Sequence, residues 1–427
     1  MSQLDRAYIN ARLLDPASGL DCLGTLLVKD GKIAALGGDV VLPDNIETQD
    51  CNGLAILPGL VDMQVFTGEP GAEHKETLAT ASNAAAAGGV AHMVVMPNTD
   101  PVIDEAALVD FIRRRAHATA KVNIHPMAAI TRGCAGEALS EFGLLLEAGA
   151  VAFTDGDRAV MNALTMRRAL AYAAPFNALV MQHAMDQNLQ SAGVMHEGEL
   201  ATRLGLAGIP VAAETAIIDR DLRLLAITGG RYHVAQISAA DSVETIRAAK
   251  AHGLNVSCSV SATHLMLNEN DVENYRTFAK LNPPLRAETD RLALLAGIED
   301  GTIDVIVSGH NPQDVEAKRQ PFAQAAYGTV GVETLLATVL SLHHSANSDL
   351  LTLLGCVTMR PAALLGLAAG GLQPGAKADF AIVDIEAPWV IDADRLKSKS
   401  QNSAIEGRQV QGIVQALYLA GEQVTPD

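Results

Sequence analysis

The sequence holds no apolar run near the roughly 18–20 residues that a membrane span needs. Its opening, MSQLDRAYINARLL, lacks the basic-then-apolar layout of a secretory signal, so a cytoplasmic chain without a membrane contact is expected. Cysteine is scarce: Cys22, Cys51, Cys134, Cys258 and Cys356 are scattered, odd in number and form no CxxC pair. That pattern argues against a disulfide framework and against a zinc ribbon, and leaves free, mostly buried thiols. Basic residues are also short, with 31 Lys and Arg against 49 Asp and Glu and a formal net charge of −18. A polyphosphate would be repelled on average, which excludes nucleic acid as a natural partner. Aromatic residues make up only 4%.

What is present is a globular composition, 49% hydrophobic and 19% charged over 427 residues. That apolar content excludes disorder, and the length suits one large domain with a smaller one. The first 50 or so residues read as short strands and turns. The stretch TLLVKDGKIAALGG (25–38) alternates in polarity around Asp30-Gly31, a hairpin signal. The other end reads alike, in ADFAIVDIEAPWVI (378–391) and VQALYLAGEQV (414–424), with a turn at Gly421. A discontinuous β-sandwich domain built from residues 1–56 and 371–427 is the expectation, with Trp389 in its core.

Residues 57–370 have another rhythm, in which short apolar strands alternate with Ala- and Leu-rich helical stretches. The expected strands are Leu60–Val65, His92–Pro97, Val122–Ala128, Ala150–Asp155, Ala178–His183, Tyr232–Ile237, Asn255–Ser261 and Asp304–Gly309. Helices are expected over 75–89, 137–149 and 242–253, several of them ending in glycine, as helix C-termini often do. Eight strand–helix units in that length are the pattern of an α/β (β/α)8 TIM barrel. A doubly wound sheet is the alternative, but no GxGxxG follows the first strand.

In such barrels the chemistry sits at the C-terminal strand ends. Those ends present Gln64, Phe66 and Gly68; Asn98; Asp155 and Asp157; His183; His233 and Gln236; His264 with Asn282 and Arg286 further on; and His310. Gln64 and Phe66 lie two apart, on one face of their strand. His233 and Gln236 lie three apart and face opposite ways in a regular strand.

The blocks PGLVDMQVFTGEPG, MPNTDP, GAVAFTD, KLNPPLR and SGHNPQDVEAKRQPFAQAAYGTVGVET occur in the order found in dihydroorotases of the amidohydrolase superfamily, and the chain resembles that family over nearly its whole length. The resemblance implies a distorted (β/α)8 barrel with a small β-sandwich built from both termini. It also implies ring closure or opening of dihydroorotate in pyrimidine biosynthesis, with zinc. In this sequence the family's first-strand zinc histidines fall on Gln64 and Phe66, and its substrate-carboxylate arginine on Gly68. The sixth-strand histidine falls on Gln236, and the eighth-strand aspartate, both ligand and general base, on Gly309. Asp155, His183, Asn98 and Asn282 are retained, and Arg286 and His310 complete the expected vestigial pocket.

A catalytic zinc takes about three protein ligands and a water, and the aspartate's role in moving protons is worth about 10²–10⁴-fold. From these departures the expectation is a pseudo-enzyme: no catalytic residue, no metal and a lost zinc cofactor. The resemblance then implies the group of dihydroorotase-like proteins that assemble with the catalytic chain of aspartate transcarbamoylase as a non-catalytic hetero-oligomer subunit, with homo-oligomer contacts besides. One alternative is an active dihydroorotase or related cyclic amidohydrolase with a rebuilt metal site, for which Cys258 and His310 are the further donors. Another is a small-anion sensor using the vestigial pocket. The bland readings are a core histidine for His183, turn chemistry for Asp155 beside Gly156, and a helix end for His343-His344.

Overall fold

The alternating segments at the two ends of the chain pair with each other. In the computed structural model, which describes residues 5–346 and 348–426, one eight-stranded sheet runs in the order Glu422–Val424, Gln409–Leu419, Phe380–Val390, Ala55–Pro58, Arg6–Asp15, Leu20–Lys29 and Lys32–Gly37, with Glu47–Asp50 also on Arg6–Asp15. The two-residue turn at Asp30-Gly31 joins Lys29 to Lys32, both turn residues at positive φ (49° and 70°), as a type I′ hairpin requires. Ala420-Gly421 makes the matching turn before Glu422–Val424. Tyr8, Phe380 and Tyr418 fill the sheet's inner face with ring centroids 4.7–5.2 Å apart. Trp389 is only half buried, its Nε1 donating to the Gly412 carbonyl at 2.9 Å.

The middle of the chain forms the barrel. Parallel strands Leu60–Val65, Val90–Val95 and Asn123–Pro126 make one arc, and Leu179–His183, Arg231–Ala235, Val256–Ser261 and Val305–Val307 make another. The expected strand Ala150–Asp155 is reduced to bridges at Phe153, which pairs with Ala128 on one side and Val180 on the other. Its backbone still completes the wall, with Thr154 N donating to Ala128 O and Phe153 N to Leu179 O. The barrel axis is packed by Val61, Met63, Val94, Met127, Ala152, Met181, Ala235 and Val307. A second apolar layer lies between strands and surrounding helices such as Leu78–Ala87 and Leu335–Ala346. No helix among the described residues is long and apolar enough to cross a membrane.

Closure brings the first strand against the last. Val65 bridges His310, and Phe66 N donates to the His310 carbonyl at 2.9 Å. Asp62, fully buried, accepts from the backbone N–H of Ser308 at 3.2 Å and of Gln64 at 3.3 Å. Segment 398–404 returns from the sheet to the loops at the barrel mouth: Asn402 Oδ1 accepts from Gln313 N at 3.0 Å, and its Nδ2 donates to Gly328 O at 3.1 Å.

Burial pushes the Asp62 carboxyl up to about 6, against the Ser308 and Gln64 hydrogen bonds that pull it down. A carboxyl whose folded pKa is raised contributes stability fully below its unfolded pKa of about 4, and loses it as pH rises through the folded value. Asp62→Asn keeps an acceptor for Ser308 and removes the charge. Measured as urea midpoints at pH 4.5 and 7.5, the variant should gain on the order of 1–3 kcal/mol relative to the parent chain between those pH values. An unchanged difference between the two chains would refute the assignment.

Candidate functional site

The strand ends open onto a cavity of about 620 Å³. Nine of the eleven residues expected at the site line it: Gln64, Phe66, Asn98, Asp155, His183, Gln236, Asn282, Gly309 and His310. Gly68 and Arg286 do not. The sequence pattern thus delivers the strand-end residues to one place, because parallel strands in a barrel all end on the same rim.

Arg286 lies behind the cavity wall, 3% exposed. Its guanidinium donates to Ile209 O at 2.8 Å and to Ser238 Oγ at 3.1 Å, and stands 3.6 Å from Glu214. Glu214 in turn accepts from Ser238 N and Ser242 Oγ. This is a buried, paired network, and it holds the guanidinium away from any ligand.

At Gly68 the backbone has φ +72°, and an added Cβ would stand 2.6 Å from Ala72 O. No side chain fits there without moving the loop. Gly309 also has positive φ, +62°, with Gln236 Nε2 and Ser261 Oγ each 3.1 Å from where a Cβ would be. Gln236 itself leaves the strand at φ +50°, its N–H donating to Ser259 Oγ at 3.1 Å. That turn carries Gln236 to the cavity, while His233 stays in the wall with Nδ1 2.8 Å from Ser257 Oγ.

The retained acid and imidazole are each in a definite state. Asp155 is 2% exposed, and both its oxygens are taken by Thr131, from the backbone N–H at 2.9 Å and from the hydroxyl at 2.5 Å. Burial raises its pKa against those bonds. The turn reading of Asp155 is replaced by this anchor on the 131–136 loop. His183 is 3% exposed, and burial lowers its pKa, so its imidazole is neutral near pH 7. His310 accepts at Nδ1 from the N–H groups of Gly331 and Val332, with Nε2 3.6 Å from Glu76. Cys258 and Asp304 lie outside the cavity lining, Cys258 N donating to Asp304 at 2.8 Å.

Ser261 belongs to the site although strand-end reasoning did not single it out, and His264, which follows the seventh strand in the sequence, lines the cavity with it. Ser261 caps the short helix Ala262–Met266 that carries His264, and this strand-to-helix turn is the signal that marks the pair. His264 Nε2 lies 3.1 Å from the Pro283 carbonyl and so carries the proton, leaving Nδ1 as an acceptor; burial lowers its pKa to about 4. Tyr327, Gly328 and Thr329 reach the cavity on a strap fastened by two buried lysines. Lys280 Nζ donates to Ala323 O at 2.9 Å, and Lys318 Nζ to Ala326 O at 2.8 Å.

Unmet hydrogen-bonding capacity concentrates here. Twelve buried side-chain N or O atoms lack a hydrogen-bond partner among the described residues, and six of them belong to residues lining the cavity: Gln64, Asn98, His183, His264, Asn282 and His310. Such atoms are costly to leave unpaired and mark places completed by a ligand or water. As a zinc site the wall does not fit. Phe66 has no lone pair to give, Gln64 and Gln236 offer neutral amide oxygens, position 309 has no side chain, and Asp155 is committed to Thr131. Among the described residues no three His, Cys, Asp or Glu side chains are grouped to hold a metal ion.

Comparison with known proteins fixes the relatives. A family described as "Dihydro-orotase-like" matches residues 53–242. A dihydroorotase of Ehrlichia canis is 44% identical over 97% of this chain and 94% of its own. A dihydroorotase of Geobacter metallireducens is 41% identical over 97% of both. The solved structure of an L-hydantoinase (dihydropyrimidinase) from Arthrobacter aurescens superposes with a TM-score of 0.88, at 25% identity, over 99% of this chain and 96% of that one.

These relatives overturn two expectations. The altered strand ends suggest a pseudo-enzyme, whereas full-length relatives above 40% identity named dihydroorotase point to an enzyme. The expectation of no zinc cofactor falls with it, because it rests on the same reading of inactivity. Both expectations weigh single ligand positions alone, and the relatedness runs through the whole barrel and the sheet. The donor set is where this chain departs from its relatives, and the fold and sequence as a whole show that it belongs to the dihydroorotase family.

Proposed function

We propose that this chain is a cyclic amidohydrolase of the dihydroorotase class, whose cavity receives a small cyclic ureide, or its ring-opened carbamoyl amino acid. The observation that carries the reading is the cluster of unpartnered polar atoms on the cavity wall. A ureide ring supplies alternating N–H and C=O groups, the complement of amide side chains such as Gln64, Asn98 and Asn282. The family's full-length relatives support it from the side of sequence.

Opening such a ring adds water to an amide carbonyl. In this reading the unpartnered amide oxygens of Gln64, Asn98 and Asn282 accept from the ring N–H groups and orient the ring. The neutral imidazole of His183 takes a proton from water as its oxygen bonds the carbonyl carbon, and returns that proton to the ring nitrogen as the C–N bond breaks. With its pKa lowered by burial, His183 is in the required form at neutral pH. The rate should therefore rise with pH and level off below about 6.5, the ordinary histidine value.

The test is ring opening of L-dihydroorotate, 5,6-dihydrouracil and hydantoin by the purified chain, with and without added zinc. The reading expects turnover of at least one ring above the uncatalysed rate. His183→Asn should lower kcat/KM by about 10²–10³-fold with the melting temperature unchanged. No turnover of any ring under either condition would overturn it.

We also propose assembly with the catalytic chain of aspartate transcarbamoylase, the partner that the resemblance implies. Association does not depend on turnover. Co-expressed with that chain, the protein should elute with it in one early size-exclusion peak. Separate elution of the two chains would remove the proposal.

A further inference from the structure

The loop that joins Phe380–Val390 to Gln409–Leu419 leaves the sheet and packs against the barrel mouth. Ser398, Ser400, Asn402, Ser403 and Ala404 on it are all buried. Residues 398–404 stand behind the cavity lining, yet their polar atoms bond five residues that belong to it. Ser400 Oγ donates to Lys75 O at 2.7 Å, and Ala404 N donates to Thr329 Oγ1 at 2.8 Å. The other three, Asn311, Gln313 and Gly328, all meet the side chain of Asn402.

Asn402 is 2% exposed. Its Oδ1 accepts from Gln313 N at 3.0 Å, and its Nδ2 donates to Gly328 O at 3.1 Å and to Asn311 O at 3.4 Å. An amide offers one acceptor and two donors in this arrangement. A carboxylate there would face two carbonyl oxygens, and an alkyl group would leave three backbone groups unmet. Asn311 and Gln313 lie where the strap leaves the barrel, and Gly328 lies where it returns. One amide therefore ties both ends of the strap. Between those ends the Tyr327 hydroxyl donates to Gly193 O at 2.8 Å, on the loop that follows Leu179–His183. The clamp at Asn402 comes from outside the barrel, and it sets where one side of the cavity wall stands.

Resting on the reading that the cavity receives a cyclic ureide, we infer that Asn402 is a positioning residue of this site, which places the strap around the ring without touching the ring. His183 stands on a different strand end, so loosening the strap weakens the hold on the ring and leaves the proton transfer in place.

The experiment compares the full chain with Asn402→Ala and Asn402→Asp. Steady-state ring opening gives KM and kcat, and hydrogen–deuterium exchange over 311–313 and 326–330 reports the clamp. Both variants should raise KM about tenfold with kcat within about twofold of the parent. Exchange at the Gln313 amide should quicken in Asn402→Ala, which removes its acceptor. In the isosteric Asn402→Asp, which keeps that acceptor and loses both donors, Gln313 should stay slow while 326–330 quickens. A lowered kcat with unchanged KM is the signature of a smaller folded fraction, and it would overturn the inference. Unchanged exchange at both segments would also overturn it, and in either case the cyclic-ureide reading stands if the parent chain turns over. No ring opening by the parent chain would overturn both.

Discussion

Everything at the barrel mouth depends on how the barrel closes. The first strand meets the last through the Val65–His310 bridge, the Phe66 N–H on the His310 carbonyl, and the buried Asp62 carboxyl on Ser308 N. That closure brings residues 64, 66, 309 and 310 together on one rim although nearly 250 positions separate them in sequence. Beside it Gly309, which has no side chain to offer, turns through positive φ between Gln236 and Ser261. The chemistry available in the cavity is therefore set by backbone geometry as much as by residue type.

The wall that results is made of neutral groups. Amides at 64, 98, 236 and 282 and neutral imidazoles at 183 and 264 surround a single buried carboxyl whose oxygens are already bonded. Such a lining suits a ligand rich in N–H and C=O groups. Positions 64, 66, 236 and 309, which the resemblance assigns to zinc, carry groups that donate weakly or not at all, yet the scaffold and its relatives are those of an enzyme family. The site has changed its electrostatics while keeping its cavity.

Much of this was legible in the residues. The alternation around Asp30-Gly31 gives a hairpin with the expected turn, and the strand Leu60–Val65 has the expected bounds. Most of the residues at the expected strand ends line the cavity, because parallel barrel strands share a rim. Other features had no local signal. Ala150–Asp155 is too irregular to form a ladder, since it pairs with its neighbours only at Phe153. Arg286 ends the KLNPPLR block but is captured by Glu214, more than 70 residues earlier, a long-range pairing that spacing does not reveal. Tyr327 and Lys75 reach the cavity on loops, where no periodicity tells which way the chain folds. The substitutions at 64, 66, 68, 236 and 309 suggest inactivity, but a handful of positions does not report what the rest of the wall offers.

The central claim is that the cavity at the barrel mouth seats a cyclic ureide on neutral amide and imidazole groups. A crystal structure of the chain grown with hydantoin tests it most directly. The account predicts the ring inside this cavity, its N–H and C=O groups on Gln64, Asn98 or Asn282 and its carbonyl carbon beside His183. A ring seated elsewhere, or a cavity holding only water at saturating hydantoin, would contradict it.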